Sequence, residues 1–366
     1  MLFTATKDKA RILLNEFKSV FTSENLCFVP WLGRSLPRIP TLFVTSRGVE
    51  KLLSHLKPHK AAGPDKIPGR ILKELASELA PALSAFFNQT ITQGCVPKGW
   101  TEALISPVYK KDNVHDASNY RPVSLTSVTC KVLEHIICKH ILDHLDHHNA
   151  ITSYQHGFRR SRSCETQLLL TLDDLMRAYD KKHQVDIGIL DFSRAFDTVP
   201  HERLLGKLSY YGIKGPLQFW IRSFLANRTM RVVIDGETSS TAHVKSGVPQ
   251  GTVLGPLLFL IYINDLPDQV SEGTTVRLFA DDCLVYRQIH SISDQLILQR
   301  DLLALQSWAL KWGMRFNPKK CNIMQVARSN PLTKIYEMCD EALLCATDAR
   351  YLGVSISNDL QWEKHI

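Results

Sequence analysis

The stretch Leu278–Tyr286, LFADDCLVY, limits what this chain can fold into more than any other. Two adjacent carboxylates interrupt a run that otherwise reads as buried strand. Like charges repel, and buried carboxylates are costly unless something neutralises them. TVRLFADDCLVYRQ reads as strand, two-residue turn, strand, with Asp281 and Asp282 as the turn. Hairpins of this length favour Asn-Gly or Gly-X at those positions. The local rule fails at a pair of carboxylates, and such failures concentrate at functional sites.

A second strand carries a matching signal. Val185, Ile187, Ile189 and Asp191 alternate onto one face, which ends in a carboxylate where one more apolar residue is expected. If this strand lies beside the hairpin, three carboxylates converge at one sheet edge, and such a cluster is stable only with cations. Oxygen donors of this kind suit Mg²⁺, which is usually shared with substrate phosphates. Two such ions, ~3.5–4 Å apart, activate a hydroxyl and hold a leaving pyrophosphate. An Asp-Asp turn alone is weak evidence, since exposed acidic turns are common. The surroundings carry the case.

Those surroundings are mixed α and β. Helical spacing marks Ala10–Phe21, a stretch from Ile71 to Phe86 that Pro81 kinks or restarts, and residues 128–148. Ala103–Tyr109 and Tyr120–Leu125 read as strands around a polar loop. A basic loop with Arg159, Arg160 and Arg162 leads into a helix capped by Ser163. A further helix runs from Pro200 to Gly212. In SGVPQGTVLGP, glycines at 247, 251 and 255 punctuate a loop that enters a helix near Gly255–Pro256. Gln250 in that loop offers both a donor and an acceptor. His140 and His144 are four apart, a spacing metals accept, but no third ligand stands at motif distance, and they read as a solvated helix face.

With 366 residues, 44% apolar and 22% charged, the chain has material for two or three subdomains. A formal charge of +8 suits a polyanionic partner. Nine scattered cysteines, none in a CxxC pair, argue against a zinc ribbon and for free thiols in a reducing compartment. No stretch reads as a membrane span, and the charged N-terminus does not read as a signal peptide. Nucleus or cytoplasm is the expected location.

In order, SPVYKKDNVHDASNYRPVSL, QHGFRRSRS, LDFSRAFDTVPHERLLGKL, SGVPQGTVLGPLLFLIYINDLP, LFADD, WGMRFNPKKCNIM and YLGVSIS resemble the successive blocks of a reverse transcriptase, of the non-LTR (LINE-type, jockey-like) retrotransposon kind. The resemblance covers about residues 58–366. It implies an α+β right-hand polymerase fold, with an antiparallel palm sheet, helical and β fingers, and a thumb absent or truncated. The expected boundaries are an N-terminal linker or extension over 1–57, fingers over 58–184, and palm with interleaved fingers elements over 185–366, ending at the primer-grip region. It further implies that Asp191, Asp281, Asp282 and the Phe192 carbonyl bind two Mg²⁺, with Mn²⁺ a substitute. Lys110, Arg121, Phe192, Phe196, Gln250 and Gly251 would contact the dNTP, with Phe196 as the steric gate. Lys319 or Lys320 would supply a proton donor, Lys319 being the one chosen. Arg159, Arg160, Arg162 and the Tyr351-Leu352-Gly353 turn would touch an RNA template or DNA primer. Three other residues read as structural: Asp197 as a helix cap, and Trp308 and Trp312 as packing. Relatives usually carry an upstream endonuclease, and no block here supplies nuclease chemistry. The main rival is a catalytically silent nucleic-acid-binding relic. An RNA-copying RNA polymerase is disfavoured by Phe196, and a metal hydrolase leaves Gln250 and Arg121 unexplained.

Overall fold

The structure is a computed structural model and describes residues 5–24, 30, 32–329 and 331–361. Its elements, in chain order, begin with α1 (Thr6–Ser19), α2 (Ser46–Ser54), α3 (Gly69–Glu74), α4 (Ala76–Gln93), β1 (Glu102–Tyr109), β2 (Tyr120–Leu125) and α5 (Val128–His147). Then come α6 (Cys164–Asp180), β3 (Gln184–Leu190), α7 (Ala195–Thr198), α8 (His201–Tyr210), α9 (Pro216–Leu225), β4 (Thr229–Ile234), β5 (Glu237–Thr238), β6 (Ala242–His243) and α10 (Leu254–Ile263). The remainder is β7 (Thr274–Phe279), β8 (Asp282–Ile289), α11 (Ile292–Lys311), β9 (Asn322–Val326), β10 (Glu337–Met338), β11 (Glu341–Ala342), β12 (Leu344–Cys345), β13 (Asp348–Tyr351) and β14 (Val354–Ser357).

The chain packs as two compact units, Met1–Ala150 with Phe196–Ile261, and Ile151–Ala195 with Tyr262–Ile366. Their seams differ from the boundaries read at 57/58 and 184/185. Long-range pairing decides this. In the first unit β4 joins β1 in parallel, while β2 flanks β1 antiparallel, giving the order β2-β1-β4-β5 with β6 also on β4. The N-terminal extension contributes α1, near the helix read at Ala10–Phe21, whose Ala10, Leu13, Leu14 and Phe17 pack on Ala103, Ile105, Met230 and Val232. The helix read across Pro81 breaks at Leu75 instead, and Pro81 stands inside α4, where it removes one hydrogen bond of the helix.

The second unit is built on a sheet of order β12-β9-β3-β8-β7, antiparallel except for β12 on β9. The alternation in β3 holds. Val185 and Ile187 join Leu175 and Ala178 of α6, Leu284 and Tyr286 of β8, and Tyr351 and Ile356 in one buried cluster. The opposite face carries Asp186, fully buried and accepting from Tyr336 Oη at 2.6 Å and Gln184 Nε2 at 2.7 Å. The tryptophans read as packing are buried, Trp308 at 3% exposure and Trp312 at 1%. His144 is buried, against expectation, with Nε2 2.9 Å from the Tyr211 carbonyl. No helix among the described residues is long and apolar enough to cross a membrane. The described cysteines are free thiols.

Candidate active site

In the second unit the register places the carboxylates. Leu190 opposes Cys283 at the end of the β3–β8 ladder. Beyond that last pair the chain continues to Asp191, and β8 opens with Asp282, so the two carboxylates stand at the same end of the ladder. The hairpin differs from the sequence reading by one residue. Phe279 pairs with Asp282, so the turn is Ala280-Asp281, and Asp282 opens β8. Ala280 has φ +53°, while Asp281 is not on the positive side. A turn with a positive φ only at its first central residue ordinarily takes Gly there.

A neighbouring segment holds this strained turn. Gln155 forms a parallel bridge with Leu278, and His156 N–H donates to the Leu278 carbonyl at 2.9 Å. The Gln155 side chain, 1% exposed, accepts at Oε1 from Ala280 N–H at 2.9 Å and Gly157 N–H at 2.7 Å. Its Nε2 faces the Ala280 carbonyl at 3.5 Å. A Cβ on Gly157 would collide with the Ala280 backbone nitrogen, so this residue type is needed for the approach.

Asp191 is fixed from its other side. Asn317 N–H donates to its carbonyl and Ser193 N–H to the Arg315 carbonyl, both at 2.8 Å, while Phe192 stacks on Phe316. Of the two candidate lysines, Lys320 is the one beside the carboxylates, with Nζ 3.7 Å from Asp191 Oδ2. Lys319 is exposed. Beneath lie two neutral thiols: burial pushes Cys321 up to about 11 and Cys283 higher still. Among the described residues, no three His, Cys, Asp or Glu side chains are gathered tightly enough to hold an ion by themselves. Asp281 stands in the turn between β7 and β8. Hard oxygen donors from one or two carboxylates still fit Mg²⁺, which completes its shell with water and phosphate oxygens.

The basic loop is less free than the sequence suggested. Arg159 donates to the Thr152 carbonyl at 3.1 Å, and Arg162 to the Ser153 carbonyl at 2.8 Å and to His156 Nε2. Arg160 is exposed, beside Phe158 at 59% exposure. Tyr351 is 3% exposed, its hydroxyl accepting from Gln167 Nε2 at 3.2 Å, so its ring belongs to the core; half-buried Leu352 packs against the same cluster and Gly353 is exposed.

The first unit assembles a different set. Gln250 Nε2 donates to Asp197 Oδ1 at 2.9 Å, and the Gln250 carbonyl accepts from Ser124 N–H at 2.8 Å. Asp197, read as a helix cap, thus orients Gln250. Gly251, at φ +92°, passes so close to β2 that a Cβ would stand 2.8 Å from the Ser124 carbonyl oxygen. Half-buried Phe196 stacks on Phe259 at 4.4 Å, and its carbonyl accepts from Val248 N–H at 2.7 Å. The loop exit is capped by buried Glu134, whose Oε2 accepts from Val253 N–H at 2.8 Å and Leu254 N–H at 2.9 Å. Arg121 pairs with Val108 across the hairpin, so the two-residue period puts Lys110 and Arg121 on one face, away from α1. Both are exposed.

The profile of the reverse transcriptase (RNA-dependent DNA polymerase) family matches residues 108–356. The chain belongs to the reverse transcriptase family. The matched region holds every candidate site residue from Lys110 to Gly353, while α1–α4 precede it. It is 30% identical to the RNA-directed DNA polymerase from mobile element jockey of Drosophila melanogaster, over 90% of this chain and 37% of that protein. The Drosophila funebris protein of the same name is 34% identical, over 99% and 41%. A probable RNA-directed DNA polymerase from transposon BS of Drosophila melanogaster is 27% identical, over 92% and 38%. The chain therefore spans about two fifths of the length of these relatives. Gln155, Glu134 and Ser124 were not singled out from the sequence. Each acts through a partner distant along the chain, and the only local signals were QHG in a quoted block and an alanine where the turn wants glycine.

Proposed function

We propose that this reverse transcriptase region extends a DNA primer on an RNA template, as the polymerase part of a retrotransposon protein. The observation that carries the reading is the register: Asp191 follows the last residue of β3 and Asp282 opens β8 at the same end of their ladder, in a chain whose family is established. In this reading the second unit's sheet is the palm of a right-hand polymerase, and the β1–β2 hairpin belongs to the fingers. Asp191, Asp281, Asp282 and the Phe192 carbonyl would hold Mg²⁺, which when bound lowers the barrier to attack by a 3′-hydroxyl and steadies the leaving pyrophosphate. The chain's own residues supply position and charge. The strand ends fix the carboxylates relative to each other. Lys320, already drawn to Asp191, stands ready to place a proton or a positive charge by the leaving group. Lys110 and Arg121 offer charge-assisted contacts to a triphosphate, Gln250 presents an amide oriented by Asp197, and Phe196 crowds a 2′-hydroxyl. A reducing location, nucleus or cytoplasm, belongs to the same reading.

The test is extension of a labelled DNA primer on RNA with Mg²⁺ and dNTPs, beside the double variant Asp281→Asn/Asp282→Asn. Extension by the parent that falls by about a thousandfold or more in the variant is the expected result. Salt-sensitive primer–template binding without any extension would instead identify a silent binding protein.

A further inference from the structure

We infer that Gln155 is a positioning residue for the catalytic hairpin: its side chain holds Ala280 in a strained conformation and so sets where Asp281 and Asp282 stand. The inference rests on the polymerase reading for its consequence, and on geometry for its content.

The turn asks for glycine and has alanine. An L-residue at φ +53° is strained by roughly 1–2 kcal/mol and persists only where its surroundings over-determine it. Gln155 provides that determination. Its amide meets the Ala280 peptide on both sides, accepting from the N–H at 2.9 Å and facing the carbonyl at 3.5 Å. The same oxygen ties Gly157 at 2.7 Å, so the clamp is locked to its own segment. The segment is anchored in turn to β7 through His156 N–H on the Leu278 carbonyl and Leu278 N–H on the Tyr154 carbonyl, at 2.9 and 3.0 Å. At 1% exposure, no water competes for the amide. Carboxylates that must meet a metal and a phosphate gain from such fixing, because a misplacement of about 1 Å costs up to a hundredfold in rate.

Three variants test this. Gln155→Met keeps the length and removes the acceptor. Gln155→Glu restores the acceptor. Gly157→Ala pushes on Ala280 from the same segment and serves if the methionine variant does not fold. Gln167→Met, at an equally buried position of the same unit bound to Tyr351, is the control for general loosening. The readouts are amide exchange over residues 278–286, primer-extension kcat and KM, primer–template Kd, and Mn²⁺ affinity by electron paramagnetic resonance. The expected result for Gln155→Met is faster exchange in the hairpin and weaker Mn²⁺ binding. kcat should fall roughly ten- to a hundredfold, with KM and Kd within about twofold of the parent. Gln155→Glu should recover part of the exchange protection, short of the parent because its charge faces the Asp281–Asp282 turn and the Ala280 carbonyl, and Gly157→Ala should repeat the methionine signature. A parental kcat in Gln155→Met, a loss confined to KM or Kd, or an equal loss in Gln167→Met overturns the inference. If the parent itself extends no primer, the polymerase reading falls. The clamp is then judged on Mn²⁺ alone, where unchanged affinity in Gln155→Met overturns it and weakened affinity upholds it.

Discussion

Gln155 and Glu134 do the same job in different units with different charge. Each is buried, and each uses one side-chain oxygen to accept two backbone N–H groups. Gln155 braces the hairpin of Asp281 and Asp282; Glu134 braces the exit of the loop that carries Gln250 and Gly251. Glu134 caps the start of α10, where unpaired N–H groups and the helix dipole favour an anion, and Lys131 and Arg228 add positive charge nearby. Gln155 stands against a turn that already bears carboxylates, where another negative charge would repel. The acceptor is required in both places, and the neighbours decide whether it is an amide or a carboxylate.

That contrast predicts an order of effects. The largest is on stability. Glu134→Ala leaves two buried amides unpaired and Arg228 uncompensated, and should lower unfolding free energy by about 3–5 kcal/mol. Gln155→Met, which strands only neutral groups, should cost about 1–3 kcal/mol. Urea midpoints for the two variants decide it, and equal midpoints would remove the role given to charge.

The next effect separates the two loops by chemistry. Phe196→Val, in the unit of the Gln250 loop, should improve use of rNTP relative to dNTP by roughly tenfold or more while leaving dNTP kcat near the parent value. Competing single-nucleotide insertions measure the ratio. An unchanged ratio would sink the gate assignment, and a collapse of kcat would blur the division of labour.

A smaller effect appears with pH. Burial first, then Arg162, Arg277 and Arg159, hold His156 down at about 4 from an ordinary 6.5. The unfolded chain therefore takes up a proton near 6.5 that the folded one refuses until about 4. Stability should be fully present above pH 6.5 and decline as pH falls towards 4. His144 and His201 of the first unit, lowered chiefly by burial, add slope of the same sign. His156→Gln should remove part of that decline, read from denaturant midpoints across pH 4–8, and an unaltered profile would show that His156 titrates normally.

The smallest effect concerns the basic loop. Arg159 and Arg162 hold backbone carbonyls, so Arg160 is the arginine of the three placed for a phosphate. Arg160→Ala should weaken primer–template binding a few-fold and reduce the slope of log K against log salt by about 1. Arg159→Ala should instead register mainly in stability. The reverse pattern would mean that the internal hydrogen bonds give way to nucleic acid.

Much of this was legible beforehand because it is local. The alternation in β3 ends at Asp191, the strands at 103–109 and 120–125 stand where periodicity puts them, and Ser163 caps α6. Other features were misplaced for identifiable reasons. The Asp281–Asp282 pair interrupts an apolar run and so reads as the turn, whereas strand pairing shifts it to Ala280-Asp281. Tyr351 looked like a surface contact because its motif borders a turn, but the one-residue alternation aims its ring inward.

By itself the sequence determined which chemistry this chain carries: three aspartates, a Gln-Gly loop and basic strand ends, in the order of a reverse transcriptase. Propensity, period and turn composition act over a few residues, and that range was enough. The tertiary structure decided what holds those groups still: Gln155 on Ala280, Glu134 on α10, Asp197 on Gln250, and Lys320 rather than Lys319 beside Asp191. These contacts join residues far apart in the chain, and their energy exists only once the sheets have closed and water has left.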